Sequence, residues 1–274
     1  MSRICWAMKN YNFAASNQWR HLVLLALVLG SLIVVLLQAP IKQDLAYHHF
    51  IDTRNFFGIP NFYNVISNFP FFLTGIAGVL FCTRRASVDV RPEWLCFFAG
   101  ITLVSIGSAY YHFNPDNQSL VWDRLPMTLM FMALFSLIIH DFLGEKTGKI
   151  GFWLAVPFGI FSVIYWHFTE CAGCGDLRPY GFVQFFPLAI VPILFAFFSK
   201  MVGYGRTMAL ALGLYAMAKV AEHYDDAIFE TLGFWSGHTI KHLLAAAGLW
   251  FAVRMLDDWQ IEKGVSIKNG QVVT

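Results

Sequence analysis

A chain of 274 residues in which 57% are hydrophobic and only 13% are charged does not have the composition of a water-soluble domain, where about a quarter of the residues are charged. Its formal net charge of +2 is too small, and too scattered along the chain, to indicate a nucleic-acid surface. We therefore interpret the chain as a membrane protein that crosses the bilayer several times, and we expect no nucleic-acid partner.

Eight apolar runs are each long enough to cross a bilayer, which takes roughly 20 residues of helix. We predict an all-α membrane protein with a core of seven transmembrane helices and one extra N-terminal transmembrane helix. The runs cover approximately residues 20–38, 61–83, 94–113, 119–141, 149–168, 180–200, 206–228 and 236–256.

The basic residues set the orientation, because Lys and Arg in short loops stay on the cytoplasmic side. Most of them fall on the side of the N-terminus, whereas Lys42, Arg54 and Arg178 fall on the other. Both termini are therefore predicted to be cytoplasmic. The first span lacks a small-x-small cleavage site and is interpreted as a retained anchor. The chain divides into a cytoplasmic tail (1–19), the extra helix with an outer connection (20–60), the seven-helix core (61–256) and a cytoplasmic C-terminal tail (257–274).

Amide side chains open the second span. Asn61, Asn64 and Asn68 share one helix face, with Ser67 beside them. In lipid such groups need partners inside the protein. Two interpretations stay open, namely hydrogen bonds between helices and binding of a substrate or cation near the outer surface.

The third and fourth spans form a helical hairpin through the turn sequence 113–118. Ser108 and His112 stand one turn apart before this turn, and Asp123 lies about one turn into the returning helix. A carboxylate inside a membrane span is costly and is therefore a functional candidate. Arg124 does not neutralise it, because adjacent residues on a helix do not face each other.

Charged residues also occur in the seventh span. Lys219, Glu222 and Asp226 follow one helix face, which indicates either a buried ion-pair network or residues that support a metal ligand. Cys171 and Cys174 form a CxxC in a predicted outer loop. They are compatible with a strained disulfide, half of a metal site or a structural role. The sequence has no second CxxC pair that would complete a metal site.

The last span begins with His238 and His242, which share one helix face as metal ligands do. The alternating direction of the spans brings His112, Asp123 and these two histidines to the outer end of the bundle. Three imidazoles leave one position of a tetrahedral zinc open for water, which is typical of a catalytic site. Zinc would activate that water, Asp123 would take its proton, and Ser108 would donate a hydrogen bond to the oxyanion. Glu222 and Asp226 are predicted at the same end.

The ordered spacing of these residues resembles the alkaline ceramidases and the wider superfamily of seven-span hydrolases that includes the adiponectin and progestin receptors. The similarity covers about residues 50–256, as in a bacterial-type member with an extra N-terminal helix. The residues that carry it are Ser108, His112, Asp123, His238 and His242, together with Asn64, Ser67 and Asn68 in the first shared span.

The resemblance implies a zinc amidase that cleaves ceramide or a related N-acyl lipid entering from the outer leaflet. It implies one zinc ion on three histidines and a water. Animal alkaline ceramidases also have an acidic cluster with a Trp before the first shared span, which forms a calcium site. Here that stretch has Asp52 as its only carboxylate and Arg54 beside it, so no calcium site is expected.

Three alternatives remain. A lipid receptor or binding protein would use the zinc only structurally, but such a site needs neither Ser108 nor Asp123. A retinal-type photoreceptor would use Lys241, yet the residue one turn earlier is Gly237 rather than a carboxylate. Lys241 is expected to turn away from the two histidines and to extend outward. Two histidines on one helix cannot supply opposite axial ligands to a haem iron. The sequence does not indicate an oligomeric state.

Overall fold

The computed structural model describes residues 3–84, 91–198, 205–262, 266–268 and 271–273, which form a bundle of long helices. Two short helices and a 3-10 turn (Leu45–His48) interrupt the bundle, and a small antiparallel hairpin follows it. The elements are α1 (Arg3–Leu37), α2 (Phe62–Ile66), α3 (Phe69–Arg84), α4 (Pro92–Phe113), α5 (Asn117–Leu143), α6 (Glu145–Cys171), α7 (Arg178–Phe198), α8 (Gly205–His223), α9 (Asp225–Leu232), α10 (Gly237–Glu262), β1 (Ser266–Lys268) and β2 (Gln271–Val273).

Within the described part of the chain, seven helices are long and apolar enough to cross a membrane. One of them lies near the N-terminus, so the predicted fold class is confirmed. The remaining predicted span corresponds to α8, which is less apolar because it carries Lys219 and Glu222, yet packs along α10. The seven candidate spans are Trp19–Leu37, Phe62–Thr83, Pro92–Phe113, Asn117–Leu143, Glu145–Cys171, Arg178–Phe195 and Gly237–Leu256.

Two predicted spans are broken near the same end of the bundle. The second span is interrupted between α2 and α3, where the side chains of Ser67 and Asn68 both donate to the carbonyl of Asn64. These bonds compete with the helix ladder, and Pro70 has no N–H to continue it. The predicted seventh span, 206–228, is likewise not continuous, because α8 ends at His223 and a separate helix begins at Asp225.

The α4–α5 hairpin forms as predicted, and its turn determines where α5 begins. Asp116 caps α5 by accepting from the backbone N–H of Ser119 at 2.6 Å, while the Ser119 hydroxyl accepts from the Asp116 N–H at 3.0 Å. This reciprocal cap satisfies two N–H groups at the turn. Gly107 permits the close approach of α4 and α5, because a Cβ there would meet the carbonyl of Trp122.

Buried apolar side chains fill the interior of the bundle, and a smaller cluster around Tyr111, Leu120 and Trp166 lies near the α4–α5 turn. Large apolar side chains such as Leu22 and Trp153 are exposed on the outer faces. Exposed apolar faces around a packed interior are expected of helices that contact lipid.

Residues 38–61, which we call the connecting segment, run across one end of the bundle. Its backbone accepts from Leu177 N–H at Ile41, and Gln43 binds both Glu170 and Arg124. Arg178 donates to the carbonyls of Leu36 and Gln38, where α1 ends, and also binds Asp176. The hydrogen bond from Arg178 holds the pKa of Asp176 below its usual value. The connecting segment is thus fixed over the end of the bundle at which the histidines lie.

Candidate metal centre

Three buried histidines converge beneath the connecting segment. His112 ends α4, and His238 and His242 lie in the first turns of α10. One ring nitrogen from each lies within 4.8 Å of the others. The Nε2 atoms of His112 and His238 are 3.3 Å apart. Two ligands of a tetrahedral zinc, each about 2.05 Å from the metal, stand about 3.3 Å apart. The donor set therefore suits zinc, and the cluster could hold a metal ion.

Hydrogen bonds fix the histidines in place. The hydroxyl of Ser67 lies 2.7 Å from Nδ1 of His242, which leaves Nε2 to face the other rings. A partner of this kind on the second nitrogen is usual for metal-binding histidines. The Nδ1 atom of His112 has no such partner in the described part of the chain. Its backbone is held instead, because Asn61 donates to the His112 carbonyl at 2.9 Å.

The amide residues of the second span are buried, and they make the contacts between helices that one interpretation expects. Asn64 accepts from the Thr239 hydroxyl on α10 at 3.0 Å. Asn68 donates to the carbonyl of Asn64 at 2.8 Å. Together with Ser67, these bonds join the α2–α3 break to the start of α10.

Ser108 and Asp123 meet across the α4–α5 hairpin, close to His112. The Ser108 hydroxyl lies close enough to the Asp123 carboxylate to interact with it. Arg124 faces elsewhere, as its position next to Asp123 predicts. Its guanidinium binds Gln43 and lies 4.2 Å from the centroid of the Trp166 ring. Arg124 is therefore not the ion-pair partner of the Asp123 carboxylate.

The charged residues of the predicted seventh span are divided between two successive helices, α8 and α9. Glu222 lies at the end of α8, where both Lys219 and Lys241 bind it. Asp226 lies beyond the break and is exposed on α9. Its neighbour Asp225 supports the centre, because it accepts from the His238 backbone N–H at 2.6 Å. A helix that breaks at Tyr224 turns Asp225, rather than Asp226, toward α10.

Lys241 also differs from the prediction, since it turns toward the centre. Its Nζ atom lies 2.8 Å from Glu222 Oε1 and 3.0 Å from His238 Nε2. By its position in the sequence, Lys241 lies on the side of α10 next to the face that His238 and His242 share, rather than on that face. The long side chain nevertheless reaches back to His238, three residues earlier, because helix side chains lean toward the N-terminus.

The connecting segment covers the centre with an aromatic ring, Phe50, that no sequence motif indicates. Phe50 packs edge-on against His112 and His238, with ring centroids 4.7 Å from each. Beside it is a cavity of about 400 Å³ that reaches His238. Its walls come from the connecting segment and the α8–α9 break, namely Ala46, Tyr47, His49, Phe50, Glu222, His223, Tyr224, Asp225, Asp226, Ala227 and His238.

Two further sequence features resolve into local contacts. Cys171 and Cys174 are both free and exposed at the end of α6. Asp52 is buried and binds Arg54 through both oxygens, with Arg54 Nε and Nη2 each at 2.7 Å. Arg54 also donates to the carbonyl of Phe234, just before α10, at 2.6 Å.

Fold and site together define a helical membrane protein with a buried three-histidine cluster at one end of the bundle. A family model described as Ceramidase matches residues 57–263, most of the chain. The chain therefore belongs to the Ceramidase family, and the resemblance indicated by the motif is confirmed. Helix α1 lies outside the matched range.

A curated relative agrees with the family. The chain is 30% identical over 107 residues to the "Putative alkaline ceramidase dcd3A" of Dictyostelium discoideum, an alignment that covers 34% of this chain. The alignment covers 36% of that protein, so the chain spans about a third of the relative's length.

Proposed function

We propose that this protein is a membrane-embedded, zinc-dependent hydrolase that cleaves the amide bond of ceramide or a related N-acyl lipid. The observation that carries the proposal is the convergence of the buried His112, His238 and His242, whose ring nitrogens lie within 4.8 Å of one another. Ser108, which interacts with Asp123, lies one helical turn before His112 on α4. Membership of the Ceramidase family supports the substrate class.

His112, His238 and His242 would hold the zinc, with Ser67 orienting His242. The bound metal supplies a Lewis acid that lowers the pKa of water toward about 7 and so provides a nucleophile at neutral pH. Asp123 accepts the proton from this water and returns it to the nitrogen of the leaving amine. The products are a fatty acid and an amine.

Ser108 is assigned the donor to the acyl oxygen, where negative charge develops. We assign its single hydroxyl proton to the neighbouring Asp123 carboxylate before reaction. When Asp123 takes up a proton, its neutral carboxyl group becomes a weaker hydrogen-bond acceptor for Ser108. The hydroxyl then becomes available to the acyl oxygen.

The lipid would enter sideways from the bilayer with its polar end toward the connecting segment. With both termini cytoplasmic, the centre lies toward the outer face of the membrane. Phe50 of the connecting segment covers two of the three histidines, and the cavity beside it reaches His238. Asn64 and Asn68 are assigned structural roles, since their observed partners lie within the protein.

Metal analysis of the purified protein tests the centre. We expect about one zinc per chain in the wild type, loss of zinc in His112→Ala, and retention in His167→Ala, whose histidine lies near Cys171 on α6. Absence of stoichiometric zinc from the wild type would overturn the proposed site.

Hydrolysis assays with ceramide and with N-acyl amino lipids test the chemistry. Asp123→Asn should keep its zinc and lose about 10²- to 10⁴-fold in turnover, because the proton acceptor is gone. Glu230→Gln, an exposed change on α9, should retain wild-type turnover. Zinc without turnover of any N-acyl lipid would instead favour a lipid receptor or binding protein with a structural zinc, the alternative that the same histidines permit.

A further inference from the structure

Lys219, Glu222 and Lys241 form a cluster of charges beside the centre. Glu222 binds Lys219 at 2.6 Å through one oxygen and Lys241 at 2.8 Å through the other. Two ammonium groups share one carboxylate, so the cluster carries an excess of one positive charge. A cation close to a metal site weakens metal binding by direct repulsion. Because this repulsion is unfavourable, the position of the positive charge indicates that it has a function at the centre.

The two lysines differ in where they point. The side chain of Lys219 is 38% exposed, whereas that of Lys241 is 18% exposed and reaches His238 Nε2 at 3.0 Å. The same Nε2 atom of His238 also faces His112. Lys241 therefore brings a positive charge into direct contact with the centre, with Glu222 holding the ammonium in place. Asp123 is the next carboxylate that interacts electrostatically with it, and Ser108 already engages that group.

An ammonium group has three N–H donors and no acceptor. Glu222 takes one donor, and His238 Nε2 takes a second only while its lone pair is free. With a metal on His238, Glu222 would be the one hydrogen-bond acceptor left to Lys241 among the described residues, so two of its donors would be free. Removing such donors from water is costly unless an oxygen, preferably a charged one, replaces it.

We propose that Lys241 binds the acyl oxygens at the centre, both the carbonyl of the substrate amide and the carboxylate of the fatty acid released from it. This inference rests on the proposed function and adds a substrate-binding residue to it. Ser108 contributes a neutral donor, whereas Lys241 contributes the positive charge. The shared ligand chemistry is a carboxylate or a carbonyl that becomes negatively charged.

Equilibrium binding of dodecanoate and of zinc tests the proposal without any turnover. In Lys241→Met, we expect dodecanoate affinity to fall by at least about tenfold, because a buried charged hydrogen bond is lost. Zinc affinity should stay equal or rise, since a positive charge near the metal is removed. Lys241→Arg should recover most of the dodecanoate binding.

Lys219→Met is the matched control, because it removes the other ammonium from the same carboxylate and should leave dodecanoate affinity unchanged. Glu222 stays paired with Lys219 in the Lys241 variants, which favours their folding. If Lys241→Met does not fold, Lys241→Gln removes the charge while keeping a donor for Glu222. Unchanged dodecanoate affinity in the folded neutral variant would overturn the proposal, whether its zinc affinity falls or not.

The two proposals fail separately. A wild type that binds zinc and dodecanoate but hydrolyses no amide contradicts the proposed function and leaves Lys241 as a carboxylate-binding residue. A wild type that hydrolyses amides, with a Lys241→Met variant that binds dodecanoate normally, contradicts only the role of the lysine.

Discussion

At the scale of single residues, the histidines depend on partners that the motif does not include. Ser67 is the clearest case, because its hydroxyl lies 2.7 Å from His242 Nδ1. The sequence places Ser67 beside three amides and suggests polar contacts without naming the partner. Only the break between α2 and α3 turns this side chain toward α10.

Ser67→Ala should weaken zinc binding by about 10- to 100-fold, because it removes the group that orients a ligand through its second nitrogen. Ser136→Ala is the control. That serine is also buried, but it donates to the carbonyl of Met132 within its own helix. Competition with a zinc chelator measures both affinities. Equal zinc affinity in Ser67→Ala and the wild type would show that His242 needs no such partner.

At the scale of helices, hydropathy and turn chemistry predict which runs are spans, whereas side-chain competition decides where they break. The α4–α5 turn follows from Asn114, Pro115 and Asp116, since these residues favour turns and caps wherever they occur. The break after His223 has no comparable signal. Asp225 there accepts from the N–H of His238, thirteen residues later at the start of α10, and this tertiary contact follows no spacing rule. The pairing of Asp225 with His238 was therefore out of reach of the sequence.

Helix α4 meets α5 so closely at Gly107 that no side chain fits there. The Cβ of an alanine would meet the Trp122 carbonyl, a backbone atom that cannot rotate away. We expect Gly107→Ala to destabilise the protein by about 1–3 kcal/mol and to separate Ser108 from Asp123, as overpacking forces the helices apart. Thermal unfolding in detergent and turnover measure the two effects.

Gly213→Ala on α8 is the matched control, because a Cβ at this position meets nothing within 4 Å. It should be neutral, or stabilising by up to about 1 kcal/mol through higher helix propensity. A Gly107→Ala variant as stable and as active as Gly213→Ala would show that α4 and α5 have room to separate.

At the scale of the whole molecule, the polar centre lies at one end of the bundle, below the connecting segment. The sequence predicts the ligand set because the direction of each span fixes which residues share an end. It does not predict Phe50 or Lys241, because covering rings and long side chains are positioned by packing rather than by spacing. The expectation that Lys241 turns away was wrong for this reason. A helix face gives the direction of Cα–Cβ, whereas the ammonium lies several bonds beyond it.

The side of the membrane that holds the centre is a prediction from charge, and two free cysteines can test it. Cys171 and Cys174 are exposed at the end of α6, next to Glu170, which binds the connecting segment. If this end faces outward, a membrane-impermeant maleimide should label intact cells, and Cys171→Ser/Cys174→Ser should abolish that labelling. Cys82 is buried and should not react in either protein. Labelling that requires permeabilised cells would place the three histidines on the cytoplasmic side and reverse the orientation predicted from Lys and Arg.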